Sequence, residues 1–267
     1  MTVELLVDEV GFGTKDQIIL QDVSCKIEKG KIYSIIGPNG SGKSTLLKTL
    51  SHHLKPTNGT VYINGKKVQS ISVKELAKQI AIVSQSPEAP ADLTVKELVS
   101  FGRFPYRKMF QTTGYDDKEI IADAIEKTQL SHLANRKVVS LSGGERQRAW
   151  IAMALAQQPD ILILDEPTTY LDIFHQYEIM ELITNLNKSQ KMTVVMVVHD
   201  LNHAGQYSDY IFVLHDHTIA AEGVPTEVLE PELLRRIFRI ECERQIQADN
   251  RLLIIPKGLA VPQVNGK

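Results

Sequence analysis

Three features of the 267-residue sequence predict an α/β fold built on a largely parallel sheet. Short β-rich runs alternate with helical patterns along most of the chain. A glycine-rich turn lies between an apolar run at residues 31–36 and a helical pattern starting near Lys43. A second apolar run, at 161–164, ends in the paired carboxylates Asp165 and Glu166. The composition, 43% hydrophobic and 23% charged, is ordinary for a globular protein. A chain of this length can bury a substantial core within one large domain.

The opening segment reads as antiparallel strands over 3–10, 18–23 and 24–27. Runs at 60–63 and 67–69 flank Asn64-Gly65, a dipeptide that favours a two-residue hairpin turn. From about 94 to 157 the pattern is mostly helical and reads as a subdomain inserted into the α/β core. Thr94 is expected to cap the first of these helices, with Glu97 three residues later completing a capping box. Residues 116–128 read as a charged, exposed helix. The core then resumes with a strand at 161–164 and a helix over 173–188, in which Ile179, Leu182, Ile183 and Leu186 share one face. Strands at 193–198 and 210–214 follow, and after Pro225 two short helices and a last strand at 252–255. The organisation expected is one domain over 1–240 and a short C-terminal extension over 241–267.

With 30 basic against 32 acidic side chains the formal net charge is −2. Nucleic acid is therefore not an expected partner, because broad phosphate binding needs clustered excess Lys and Arg. Residues 1–10 carry no basic n-region and no long apolar run, so they do not read as a signal peptide. The longest apolar stretches, 161–164 and 194–198, are far short of the roughly 20 residues a membrane-spanning helix needs. Any membrane role is expected to come through a partner chain. Cys25 and Cys242 have no paired spacing and read as reduced structural thiols.

The turn after 31–36 is Gly37, Pro38, Asn39, Gly40, Ser41, Gly42, Lys43, Ser44 and Thr45. It matches the phosphate-binding loop pattern, whose glycines let successive backbone N–H groups turn inward around an anion. The helix after this turn points its positive end at the same place. On this reading Lys43 reaches the β- and γ-phosphates of ATP, and the Ser44 hydroxyl binds Mg²⁺. The plainer alternative is an ordinary glycine turn before a helix; the buried strand preceding it favours the cradle. The strand at 161–164 delivers Asp165 to the same sheet edge, where it can hold Mg²⁺ through water. Glu166 then faces the γ-phosphate as general base for the attacking water.

The run Leu141-Ser142-Gly143-Gly144-Glu145-Arg146-Gln147-Arg148 resembles the signature sequence of ATP-binding-cassette (ABC) ATPases. It precedes the Asp165 strand, as in that family, and is a second anion-binding helix start. The resemblance covers residues 1 to about 240. It implies a P-loop NTPase cassette with a RecA-like mixed sheet core, an N-terminal antiparallel β subdomain and an inserted helical subdomain. It also implies a head-to-tail homodimer in which each ATP lies between the P-loop of one copy and Ser142, Gly143 and Gly144 of the other. By the same resemblance Gln85 is the glutamine that senses Mg²⁺ and the membrane partner. Thr169-Tyr170-Leu171-Asp172 is the loop that joins the two sites, and His199 is the switch histidine at the γ-phosphate. Phe12 stands where the family usually has a tyrosine stacking on adenine, keeping the ring and losing the hydroxyl.

No pattern for fused membrane helices, a second cassette, long coiled coils or a large C-terminal domain reads in residues 1–267, so within the family the resemblance is expected to be to importer or assembly ATPases. The segments Gly102-Arg103-Phe104-Pro105-Tyr106, Gln85-Ser86-Pro87-Glu88 and 166–173 resemble the iron-siderophore, haem and cobalamin uptake ATPases, the ferrichrome type above all. The resemblance implies integral-membrane permease subunits, an extracellular or periplasmic substrate-binding protein, and a place on the cytoplasmic face of the membrane. Haem or cobalamin import, or a non-transport ATPase of an assembly complex, are the alternatives. The aromatic and basic run 101–110 reads as a docking surface for a permease helix. On that reading, charge reversal at Arg103 or Arg107 uncouples transport while sparing basal hydrolysis. His52-His53 and His215-Asp216-His217 read as surface residues rather than metal ligands.

Overall fold

A computed structural model describes residues 3–14, 17–85, 87, 89–107, 115–248 and 251–260. In chain order the elements are β1 (Val3–Gly13), β2 (Ile18–Glu28), β3 (Ile32–Ile36), α1 (Lys43–Leu50), β4 (Asn58–Ile63), β5 (Lys66–Lys67), α2 (Val73–Gln79), β6 (Ile80–Val83) and α3 (Val95–Ser100). There follow α4 (Tyr115–Lys127), α5 (Gly143–Ala156), β7 (Ile161–Asp165), α6 (Ile173–Gln190), β8 (Thr193–Val197), α7 (Leu201–Tyr207), β9 (Tyr210–His215) and β10 (Thr218–Gly223). Two short helices, Pro225–Val228 and Pro231–Leu233, lead to β11 (Ile240–Ile246) and β12 (Leu252–Leu259). No helix among the described residues is long and apolar enough to cross a membrane.

The central sheet has the order β10-β9-β3-β8-β7-β6 and is parallel except for β10 at one edge. Apart from the edge strand β10, its strands are largely buried on both faces, which is why they read as unbroken apolar runs rather than alternating ones. Side chains nevertheless alternate between the two cores they feed. Tyr33, Ile35, Ile161, Ile163, Val195 and Val197 pack toward the antiparallel sheet β2-β1-β4-β5 and α1. Ile32, Ile36, Leu162, Leu164, Val194 and Met196 pack toward the helices on the opposite face. Because β3, β6, β7 and β8 run parallel, the chain leaves all four at one edge, and the sequence motifs come directly after each of them.

The Asn64-Gly65 turn forms as expected, with φ of 48° and 75°, and Thr94 and Glu97 make the capping box. Several local expectations are corrected. The strands expected at 18–23 and 24–27 are one strand, β2, bent by a bulge at Asp22 (φ 47°) where its register on β1 shifts. Residues 68–70 form a 3₁₀ turn rather than continuing a strand. The α4 helix is half-buried, not exposed, with Ile121, Ala124 and Ile125 packed into the helical core. Two strands went unanticipated: β10, short and only partly covered, and β11, whose Ile-Glu-Cys-Glu-Arg sequence lacks a long apolar run.

Arg103 is also corrected. Its side chain is buried, with Nε donating to Asp117 Oδ1 at 2.8 Å and Nη1 donating to the Ala156 carbonyl at 2.8 Å and to Gln158 Oε1 at 3.0 Å. The guanidinium also lies 3.9 Å from the Tyr106 ring centroid. It pins the turn after α3 to α4 and to the end of α5, so it offers no charge to a partner. Residues 108–110 of the predicted docking run lie outside the described residues. Arg103→Glu would face Asp117 with a second buried carboxylate. Breaking such a pair costs about 3–5 kcal/mol, so this variant is expected to melt roughly 10 °C lower in thermal unfolding. An unchanged melting temperature would return Arg103 to the surface role.

Candidate functional site

The loop after β3 can close only with glycine at its tightest points. Gly42 has φ 100°, and a Cβ there would lie 2.6 Å from the Ile19 carbonyl oxygen. At Gly37 a Cβ would lie 2.1 Å from the Leu214 carbonyl oxygen. Backbone from β2 and β9 therefore presses on the loop from two sides and holds its shape. No side chain caps α1, whose first residue is Lys43, so the backbone donors of its first turn remain for a ligand. The Lys43 ammonium is buried and donates to the carbonyls of Gly37 at 2.9 Å and Pro38 at 2.8 Å. Burial lowers its pKa, against the opposing pull of the Glu166 and Asp165 carboxylates. Ser41 Oγ is buried with no hydrogen-bond partner among the described residues.

Opposite this loop, β7 ends at Asp165, whose Oδ1 accepts from Ser44 Oγ at 3.2 Å. Burial is the larger influence on Asp165 and pushes its pKa up, partly offset by that hydrogen bond. Glu166 comes next in the left-handed region, at φ 54°, an uncommon and costly place for a side chain of this kind. Three other residues meet its carboxylate. His199 Nε2, at the end of the β8 segment, is 2.5 Å from Oε1. Oε2 accepts from Thr169 Oγ1 at 3.0 Å and from Gln85 Nε2, just beyond β6. Residues from three strand ends thus converge on one oxygen pair.

A cavity of about 430 Å³ lies between loop and carboxylates, lined by Asn39, Gly40, Gly42, Lys43, Ser44, Thr45, Glu166 and His199. These are the predicted residues that the fold brings together, with Asp165 and Gln85 immediately behind them. Gln17, Ile19 and His217 also line it and were missed by the motif reading. The usable signal for His217 was its place in the Asp216-His217 turn between β9 and β10, where φ is 69° and Nδ1 lies 3.3 Å from the Ile19 carbonyl. A larger cleft of about 760 Å³ beside α6, lined by Tyr177 and Glu181 among others, contains no phosphate-binding loop, so volume does not select the site.

Phe12, Ser142, Gly143, Gly144 and Asp172 are not among the residues lining the loop cavity. Phe12 is half-buried on β1, paired across to Leu20. Ser142 caps α5 in a capping box with Glu145. That helix start is packed against the first turn of α6 and the loop before it. A Cβ on Gly144 would lie 2.8 Å from the His175 ring, and one on Gly143 would lie 3.1 Å from Leu171. Asp172 caps α6 by accepting from His175 N at 3.0 Å. Glu178 ties the two helices together, 2.8 Å from Arg148 and 2.7 Å from His175. The chain therefore carries two separate constellations, one around Lys43 and one around Ser142.

Comparison with known proteins identifies the family. Residues 20–169 match the family model described as ABC transporter. The iron(3+)-hydroxamate import ATP-binding protein FhuC of Bacillus subtilis is 49% identical over 239 residues, covering 90% of this chain and 89% of that protein. Among solved structures, an inward-facing ABC transporter described as of the metal-chelate type superposes with a TM-score of 0.83 at 28% identity, covering 96% of this chain and 98% of that one. A dimeric bacterial ABC transporter cassette superposes with a TM-score of 0.72 at 34% identity, covering 83% of this chain and 98% of that one. The chain belongs to the ABC transporter family, as one of its ATP-binding, ATP-hydrolysing subunits.

Proposed function

We propose that this chain powers uptake of an iron-siderophore complex, as a homodimer docked on integral-membrane permease subunits at the cytoplasmic face of the membrane. An extracellular or periplasmic substrate-binding protein would deliver the cargo to those permeases. The carrying observation is the Glu166 carboxylate, gripped by Gln85, Thr169 and His199 at the mouth of the Lys43 loop. The cargo class is supported by similarity to the iron(3+)-hydroxamate import protein.

In this reading the backbone donors of Gly37 to Thr45 and the Lys43 ammonium bind the phosphates, and the Phe12 ring stacks on adenine. Glu166 accepts a proton from water as the water oxygen adds to the γ-phosphorus. The bond to the β–γ bridging oxygen breaks, leaving ADP and phosphate. His199, Thr169 and Gln85 hold the carboxylate in line for that transfer. The donors fit Mg²⁺: the Ser44 hydroxyl and Asp165 carboxylate are oxygens 3.2 Å apart, suited to a hard cation. The Gln85 side-chain oxygen is a third such donor, and a cation beside Asp165 would favour its ionised form and so offset the burial that raises its pKa. When bound, Mg²⁺ supplies neutralisation of charge developing on the phosphate oxygens.

Ser142, Gly143 and Gly144 would close over the γ-phosphate held by the other copy, with Asp172 joining the two sites. A dimer face there is supported by Tyr170, Ile173 and Phe174, large apolar side chains 87%, 73% and 66% exposed beside the Ser142 constellation. Docking on a permease is supported by Phe101 and Phe104, an exposed ring pair with centroids 4.9 Å apart and the Arg107 guanidinium 5.0 Å from the Phe104 ring.

Two outcomes test the scheme. Glu166→Gln is expected to bind ATP, release phosphate about 10³-fold more slowly, and elute as a dimer in ATP during size-exclusion chromatography. Turnover at the wild-type rate would remove Glu166 from the role of base. Phe104→Ser is expected to abolish most uptake of labelled ferric siderophore by cells while the purified chain hydrolyses ATP normally. Parallel loss of both activities would argue against a docking role for that ring.

A further inference from the structure

His199 lies just past β8 at the mouth of the cavity, and the segment after it is held by the far end of the chain. Asp200 caps α7, its Oδ1 accepting from Asn202 N at 2.7 Å and His203 N at 3.3 Å. In the first turn of that helix, the Asn202 side-chain amide pairs both ways with one residue of β12. Nδ2 donates to the Ile254 carbonyl at 3.1 Å, and Ile254 N donates to Oδ1 at 2.7 Å. A primary amide offers a donor and an acceptor side by side, as backbone does, so Asn202 acts as one added residue of a strand beside the C-terminal hairpin.

The hairpin is itself anchored. Leu252 and Ile254 are 0% and 2% exposed and belong to the helical-side core. The helix and strand approach so closely that a Cβ on Gly205 would lie 2.9 Å from the Leu252 carbonyl oxygen. His203, buried in the same helix, meets the Tyr177 and Tyr207 rings edge-on. The first turn of α7 therefore has little freedom, and the backbone entering it carries His199, three residues before Asn202.

We propose that Asn202 is a positioning residue for ATP hydrolysis: by clamping α7 to β12 it sets where His199 Nε2 stands against Glu166, so the C-terminal hairpin tunes turnover from outside the nucleotide cavity. The proposal rests on the reading of His199 and Glu166 given above. Both hydrogen bonds of the clamp are lost in Asn202→Ala, whereas Asn202→Asp keeps the acceptor for Ile254 N and sets a carboxylate oxygen against the Ile254 carbonyl.

The test is ATP hydrolysis by the full chain, well below the melting temperature of each variant, with Asn202→Asp measured should Asn202→Ala fail to fold. Displacement of a catalytic group costs rate rather than substrate affinity, so kcat is expected to fall about ten-fold with KM for ATP unchanged. In a His199→Ala background the Asn202 substitution is expected to cause no further loss, because both changes act on one group. Wild-type kcat in the Asn202 variants, a rise in KM alone, or an equal additional loss in the His199→Ala background would overturn the proposal. Wild-type kcat in His199→Ala by itself would instead remove His199 from the mechanism, which separates failure of the clamp from failure of the underlying reading.

Discussion

Everything at the nucleotide cavity hangs on the double-sided burial of β3, β7 and β8. A strand covered on both faces cannot slip its register without moving one apolar set into the other core. Leu164 and Met196 feed one core and Ile163 and Val197 the other, so the points where β7 and β8 end are fixed to the residue. Asp165 and His199 inherit that determination, and the loop from Gly37 to Lys43 inherits it from β3. Within such a frame a strained backbone can be tolerated at Glu166. A left-handed φ of this kind costs about 1–3 kcal/mol, and the sheet behind it holds the chain there. The peptide leaving β7 is caught as well, since Glu166 N donates to the Val197 carbonyl at 3.2 Å.

The same economy of strand ends explains why one carboxylate is met by residues from distant parts of the sequence. Gln85 comes from the end of β6, on the way to the helical segment that bears Phe101 and Phe104. Thr169 lies on the loop that continues to Leu171, which lies against Gly143. His199 comes from β8, on the way to α7 and the C-terminal hairpin. Each route ends on the Glu166 carboxylate within hydrogen-bonding reach. A shift of about 1 Å at any one of them is large on the scale that proton transfer requires. On the proposed function, this arrangement would make Glu166 sensitive to the permease side, to the second copy and to the hairpin through three separate contacts.

Much of this was legible in the sequence, for reasons that differ from residue to residue. The loop at 37–45 is a local device: its glycines, lysine and serine work through neighbouring backbone, so spacing alone reveals them. The capping boxes at Thr94 and Ser142 are likewise closed within three residues. Double-sided strands announce themselves as apolar runs. What escaped depends on contacts distant in sequence. The edge strand β10 has no buried stripe to betray it, and β11 is written mostly in charged and half-exposed residues. Arg103 reads as a surface cation because its partners Ala156 and Gln158 are 53 and 55 residues away. Asn202 carries no local signal that would single it out, because its partner Ile254 is 52 residues away.

Arg103, whose surface reading the structure corrects, and Asn202, which the sequence did not single out, share a physical logic that separates them from the residues around the loop cavity. Arg103 Nε and Nη1 and both ends of the Asn202 amide are paired within the chain, two of these bonds being to backbone in the case of Asn202 and one in the case of Arg103. Groups satisfied in this way hold elements together and have little left to offer a ligand. Around the cavity the balance is different. Ser41 Oγ is buried without a partner among the described residues, α1 begins without a side-chain cap, and burial works against the charged forms of both Lys43 and Asp165. An incompletely satisfied set of donors beside incompletely neutralised carboxylates is costly in a folded protein unless something charged on both counts completes it. On the proposed function, a polyphosphate with its cation would meet both demands at once, which is why the site reads as chemistry and the clamps read as architecture.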